Sequence, residues 1–157
     1  MGDLERLVAI EDIKQLKARY FRAVDQKDRA LLRSVFTEDA VVDYRGAATD
    51  PSTGVNAIPV SSEKPIHGVD AIAETVMLAV KNVVSVHHGV MPEIEITGKT
   101  TANGIWPMVD RLRFDSGGAV AELVGYGYYY ETYEKIDGMW KIKTLRLPRL
   151  RVDNTPA

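Results

Sequence analysis

The sequence predicts an α+β fold in which helices from the first half close the concave side of a curved antiparallel sheet built by the second half. Two observations carry this expectation. Apolar residues recur at steps of three and four as far as residue 81 and at steps of two from residue 83 onward. Turn-forming clusters then interrupt the second half at hairpin spacing. The 157 residues, 45% apolar and 27% charged, suit one compact domain spanning 1–157.

The elements follow in order. Over residues 4–24, Leu7, Ile10, Ile13, Leu16, Tyr20, Phe21 and Val24 form a helical stripe, with a break point near Ala9. Asp28 then precedes Ala30, Leu31, Leu32, Val35 and Phe36, the pattern of an N-cap and a short helix ending near Thr37. Residues 40–44 read as a short strand. Residues 45–67 contain Gly46, Pro51, Gly54, Pro59 and Pro65 among Ser, Thr and Asn, which is loop composition. A loop this long in a compact domain is a lid, a binding loop or a disordered segment, so it is a candidate lid with disorder as the alternative. Helical spacing returns over 68–81 with Val69, Ile72, Val76 and Val80. Four strands are expected at 83–96, 100–114, 119–134 and 139–151. Their separators are Thr97-Gly98-Lys99, Asp115 to Gly118, and Ile136-Asp137-Gly138, so the second half reads as an antiparallel meander. A curled sheet closed by helices leaves a pocket between the two layers.

Composition excludes several functions. Twenty Lys plus Arg against 22 Asp plus Glu give a net charge of −2, which provides no field for a nucleic acid. The absence of cysteine removes disulfides, thiolate zinc sites and a cysteine nucleophile, and three histidines offer no pair at ligand spacing. No metal or organic cofactor is expected. Asp3, Glu5 and Arg6 interrupt the first ten residues, and no stretch approaches a bilayer-spanning length, so the expected location is the cytoplasm, without a membrane partner.

A few polar residues stand where apolar ones are expected. Asp25 lies at the negative end of the first helix, where a carboxylate needs a compensating donor or cation. Tyr20 lies on that helix's apolar stripe and carries a hydroxyl that needs a partner. His87 and His88 are neighbours in one strand, so one of them faces the interior. Alternation with Val84, Val86 and Val90 favours His88, and a bulge at Gly89 would exchange the two. Asp110 shares the parity of Trp106, Met108, Leu112 and Phe114, and an acid on such a face needs a partner. Arg146 and Arg149 are the arginines offered by the last strand, with Arg146 and Arg151 expected at the surface. The cluster Tyr126, Tyr128, Tyr129, Tyr130 and Tyr133 puts rings on both faces of its strand, for core and interface packing. There is no phosphate loop or nucleophile elbow, and the remaining inventory suits proton transfer.

The segments IKQLKARYFRAVD (13–25), VHHGVMPEI (86–94), WPMVDRL (106–112) and YYETYEKIDGMW (129–140) resemble the SnoaL-like family of the ketosteroid isomerase and scytalone dehydratase superfamily, nearest to bile-acid 7α-dehydratase-like lyases. The likeness spans nearly the whole chain outside the 45–65 loop. It implies a cone-shaped α+β barrel over a central pocket, and it implies Tyr20, Asp25, His87, Asp110 and Arg149 as catalytic residues. Hexachlorocyclohexane dehydrochlorinases, also similar, keep the aspartate and histidine at the positions of Asp25 and His87. Two departures stand out: Val90 occupies the place of the family's second histidine, and the Pro-rich loop is longer.

The resemblance implies a cofactor-independent lyase of the dehydratase type acting on a hydrophobic cyclic or aromatic small molecule. His87 would be the base, Asp25 its orienting carboxylate, Tyr20 a donor to a developing oxyanion or leaving oxygen, and Asp110 with Arg149 a buried pair in the pocket. His88, Trp106, Met108 and Tyr129 are the expected substrate-pocket residues. The same family also contains isomerases, a formaldehyde-releasing lyase and non-catalytic binding or assembly modules. Its members imply a homo-oligomer, a trimer before a dimer.

Overall fold

The computed structural model describes residues 1–56, 63–115 and 118–157. Helix α1 (Asp3–Asp25) is continuous through Ala9, in place of the expected break. Its buried face is Ala9, Ile13, Leu16, Lys17, Tyr20, Ala23 and Val24, spaced as one stripe. Leu7, expected in that stripe, is 64% exposed along with Leu4 and Val8. The first turns of α1 are largely exposed, and Arg6 ties them to the sheet by donating to the Ile96 carbonyl at 3.3 Å.

Asp28 caps helix α2 (Arg29–Ser34), its carboxylate accepting from the Leu31 N–H at 2.9 Å. The helix stops at Ser34, because strand β1 (Phe36–Asp43) already takes up Phe36 and Thr37. A short strand β2 (Ile66–His67) leads into helix α3 (Val69–Val80), which buries Val69, Ile72, Ala73, Val76 and Val80. The remaining strands are β3 (Val83–Gly89), β4 (Glu93–Ile96), β5 (Thr101–Phe114), β6 (Val120–Ile136), β7 (Met139–Arg146) and β8 (Arg149–Pro156).

The sheet runs β2-β1-β7-β6-β5-β3, with β4 also paired to β5 and β8 to β6. It curves around the helices without closing. Every pair within the second half is antiparallel. The β1–β7 pair is parallel, a departure from a purely antiparallel sheet that arises because β1 enters from the helical half.

Two of the four expected strands are each split in two, and both splits occur at proline. Pro92 follows Met91, whose φ is +39°, between β3 and β4; Pro148 separates β7 from β8. The long strands β5 and β6 are therefore each flanked by two shorter ones, and the sheet bends at the breaks. Pro107 lies in the middle of β5 because its missing N–H falls opposite the first break. There β3 ends at the Gly89–Met108 pairing and β4 begins at Glu93–Ile105. The Val90 N–H still donates to the Pro107 carbonyl at 3.0 Å.

One core cluster fills the space between α1, α3 and the sheet, with Ile13, Leu16, Phe36, Ile72, Ile142 and Leu145 fully buried. Each such side chain contributes about 1.5–3 kcal/mol by leaving water. Among the described residues no helix is long and apolar enough to cross a membrane.

The loop expectation falls partly outside the described residues, at positions 57–62. Residues 45–56 are tied down by Asp50. One of its oxygens accepts from the Ser52 and Thr53 N–H groups at 2.8 and 3.1 Å and from the Ser52 hydroxyl, and the other accepts from the Val152 N–H at 2.9 Å. Asp50→Ala should leave the buried Val152 N–H without an acceptor and cost about 1–3 kcal/mol, read as a lowered urea midpoint with an unchanged slope.

Candidate active site

Asp25 is the last residue of α1, and its carboxylate meets the carbonyl end of the helix. Strand β3 supplies the compensation. Oδ1 accepts from the Ser85 hydroxyl at 2.9 Å and pairs with His87 Nδ1 at 2.6 Å, while Oδ2 accepts from the His87 N–H at 3.0 Å. Burial pushes this carboxyl up, but the His87 ring and main chain and the Ser85 hydroxyl outweigh it and hold Asp25 below its ordinary value. An ionised Asp25 fixes the proton on Nδ1 of a neutral His87, which leaves Nε2 as the basic nitrogen.

His87 is therefore on the inner face, without any bulge in β3, whose register with β5 is regular from Val83 to Gly89. Simple alternation failed because Val84 and Val86 face outward, 49% and 43% exposed. His88 shares their exposed face and is not a pocket residue. Phe21 stacks on the His87 ring, with centroids 6.3 Å apart and planes 14° from parallel. Gly89 makes room for it, since a Cβ there would lie 2.8 Å from the Phe21 ring.

On the other side of the imidazole, Nε2 is 3.8 Å from Asp110 Oδ2. Asp110 is 2% exposed, and that same oxygen accepts from Arg149 Nη2 at 2.7 Å. Arg149 also donates through Nε to the Ala47 carbonyl at 2.6 Å and through Nη1 to Met108 Sδ at 3.1 Å. Asp110 Oδ1 is buried without a partner. The pair lies over Gly125, where a Cβ would come within 2.4 Å of Asp110 Oδ1 and 2.6 Å of Arg149 Nη1; only glycine leaves this space. Arg146 and Arg151 are exposed, over the rings of Tyr130 and Tyr126.

These groups open onto a cavity of about 150 Å³. His87, Asp110, Arg149, Thr75 and the three tyrosines Tyr20, Tyr44 and Tyr129 form its polar lining; Val24, Ile66, Val76, Val80, Leu112 and Leu147 are among the apolar residues that complete it. Tyr20 and Tyr44 share a hydroxyl–hydroxyl hydrogen bond of 2.9 Å, so one of the two protons stays available to a ligand. Burial holds Tyr20, Tyr44 and Tyr129 well above their ordinary value, which keeps them donors. Trp106 and Met108 are buried on the same face but are not among the lining residues; Trp106 Nε1 donates to the Tyr133 hydroxyl at 2.8 Å.

The profile of the SnoaL-like domain matches residues 5–146. The chain belongs to the SnoaL-like family. Solved structures have the same fold at low identity. A candidate scytalone dehydratase from Novosphingobium aromaticivorans aligns with a TM-score of 0.80 at 21% identity, covering 98% of this chain and 92% of that one. The hexachlorocyclohexane dehydrochlorinase LinA-type3 from Novosphingobium barchaimii gives 0.69 at 22%, covering 99% and 94%. A Mycobacterium tuberculosis protein of unknown function gives 0.74 at 24%, covering 95% and 76%. In this SnoaL-like chain Tyr44, Lys17 and Glu131 adjoin or line the site without having been singled out in the sequence. Tyr44 shares the parity of buried Ala40 and Val42, and Lys17 interrupts the α1 stripe, so both had a signal.

The lowered Asp25 carboxyl contributes stability that is fully present above the unfolded-state value of about 4 and is lost as pH falls through the lower native value. Asp25→Asn should therefore make the fall of melting temperature in acid shallower than in the parent protein, as followed by thermal melts from neutral pH downward.

Proposed function

We propose that the protein is a cofactor-independent lyase, acting as one SnoaL-like domain, that removes a proton from carbon and expels water or another leaving group from a hydrophobic cyclic substrate. The observation that carries it is the orientation of His87, with Nδ1 on Asp25 and Nε2 beside the cavity. His87 Nε2 takes the proton, and the C–H electron pair becomes the new double bond as the bond to the leaving group breaks. Asp25 holds the tautomer and stabilises the imidazolium. The spare proton of the Tyr20–Tyr44 pair goes to a departing or developing oxygen. Arg149 and Asp110 bind a polar substituent at the buried end.

The cavity volume of about 150 Å³ suits a single six-membered ring better than a fused polycycle. Candidate substrates are thus monocyclic alcohols or halides with an acidified C–H, which include the class named for the dehydrochlorinase relatives. Self-association through the outer face of the sheet belongs to the same proposal. Val84, Val86, Tyr126 and Tyr130 are exposed there, and a trimer is the expected assembly, to be read by sedimentation.

Product formation, with exchange of substrate hydrogen for solvent deuterium, followed by NMR over a panel of such rings, detects proton abstraction whatever leaves. His87→Gln should reduce it by roughly 10²- to 10⁴-fold. A product lighter by water or hydrogen halide marks a lyase, a product of unchanged mass marks an isomerase, and neither exchange nor product with any ring would mark a binding module. Asp110→Asn should lower the melting temperature, because it leaves the Arg149 charge buried without a counter-charge, and should lose roughly a hundredfold in rate at a temperature where it is folded.

A further inference from the structure

Behind the tyrosine wall lies a second buried ion pair that the elimination chemistry leaves unused. Lys17 on α1 is 0% exposed, and its Nζ donates to Glu131 Oε1 on β6. The other Glu131 oxygen accepts from the Tyr133 hydroxyl, which itself accepts from Trp106 Nε1 at 2.8 Å. The carboxylate is thus satisfied on both oxygens. The ammonium has one carboxylate partner and is otherwise surrounded by ring faces. Nζ lies 3.5 Å from the Tyr129 centroid, 4.0 Å from that of Tyr20 and 4.8 Å from that of Phe21.

A buried ion pair stabilises a fold poorly compared with packed apolar residues, so its placement is the informative property. This one is oriented. The cation rests on two of the three tyrosines that line the cavity, and the anion is held on the far side by Tyr133, which Trp106 holds in turn. A cation on the face of a phenol ring binds it in place and lowers the energy of negative charge gathering on its oxygen.

We propose that Lys17 is a positioning residue for the active site, its ammonium clamping Tyr20 and Tyr129 and strengthening their hydroxyls as donors to an oxyanion or leaving oxygen. The use of those donors in turnover rests on the lyase function above; the clamp itself does not. Glu131 and Tyr129 face the ammonium from β6 and Tyr20 faces it from its own helix, with Tyr44 beyond Tyr20 and Tyr133 beyond Glu131. Burial brings Lys17 down to about 8 against the opposing pull of Glu131. It holds all four tyrosines well above their ordinary value, so none of them changes charge near that pH.

The test uses the full chain with ¹³C-labelled tyrosine, and p-nitrophenol as a single-ring probe whose phenolate is read by absorbance. Tyr20→Phe and Tyr129→Phe assign the two ring signals. Both signals should move in a step near pH 8 in the parent protein, and the step should vanish in the Lys17→Met/Glu131→Gln variant. That variant should also bind p-nitrophenolate about tenfold more weakly. Lys17→Arg, which keeps a fixed charge, should lose the step yet stay within about threefold of the parent in phenolate affinity. A parent titration without a step in either ring overturns the clamp, and it does so whether or not the double variant folds. A parent that binds no phenolate, or a folded double variant with unchanged affinity, overturns the donor role. A clear step and phenolate binding with neither hydrogen exchange nor product from any ring would leave the clamp standing and refute the lyase assignment.

Discussion

A carboxylate at the carbonyl end of a helix has to find its donors outside that helix, and this constraint on Asp25 organises the protein. The donors come from one strand: the Ser85 hydroxyl and the main chain and ring of His87. Satisfying Asp25 therefore docks α1 onto β3, sets the height of the helix over the sheet and selects the tautomer of the imidazole. A structural requirement and a chemical one are met by the same three contacts, so neither can be altered alone.

The imidazole of His87 stands between two acids of different standing: Asp25, partly exposed and held by three donors, and Asp110, buried and paired with Arg149. The hydroxyls across the cavity are protonated at rest, which suits them to donate toward an oxygen that gathers charge. Base and donors belong to different walls, one on β3 and the other on α1, β6 and the residue that follows β1.

Periodicity made the helical half and the sheet half legible, and the misplaced acid at Asp110 announced its pocket. What the pattern misjudged has physical reasons. Valine marks the core only on average: Val84 and Val86 lie on the outer face, and in β3 that face is no less apolar than the inner one of Val83, Ser85 and His87. Apolar alternation runs on across Pro92 and Pro148, although a residue without an N–H is a poor candidate for a central ladder position. Leu7 keeps helical spacing but is exposed. Lys17 and Glu131 each broke an apolar register just as Asp110 did, and pairing across 114 residues is what hides such a couple from local reading. The parallel β1–β7 contact is invisible for the same reason.

The proline at the centre of β5 has a bearing on how faithfully the chain folds. Because side chains alternate along a strand, a slip of one residue between β3 and β5 would exchange His87 for the adjacent His88 and turn the pocket inside out without changing composition or burying much less surface. A sheet with apolar residues on both faces offers little resistance to that error. Pro107 supplies it: a group that cannot donate is tolerated only where the facing ladder is interrupted, and only one alignment puts the interruption there. A residue that never touches the cavity thus acts as a proofreading mark for the histidine two strand positions beyond the gap.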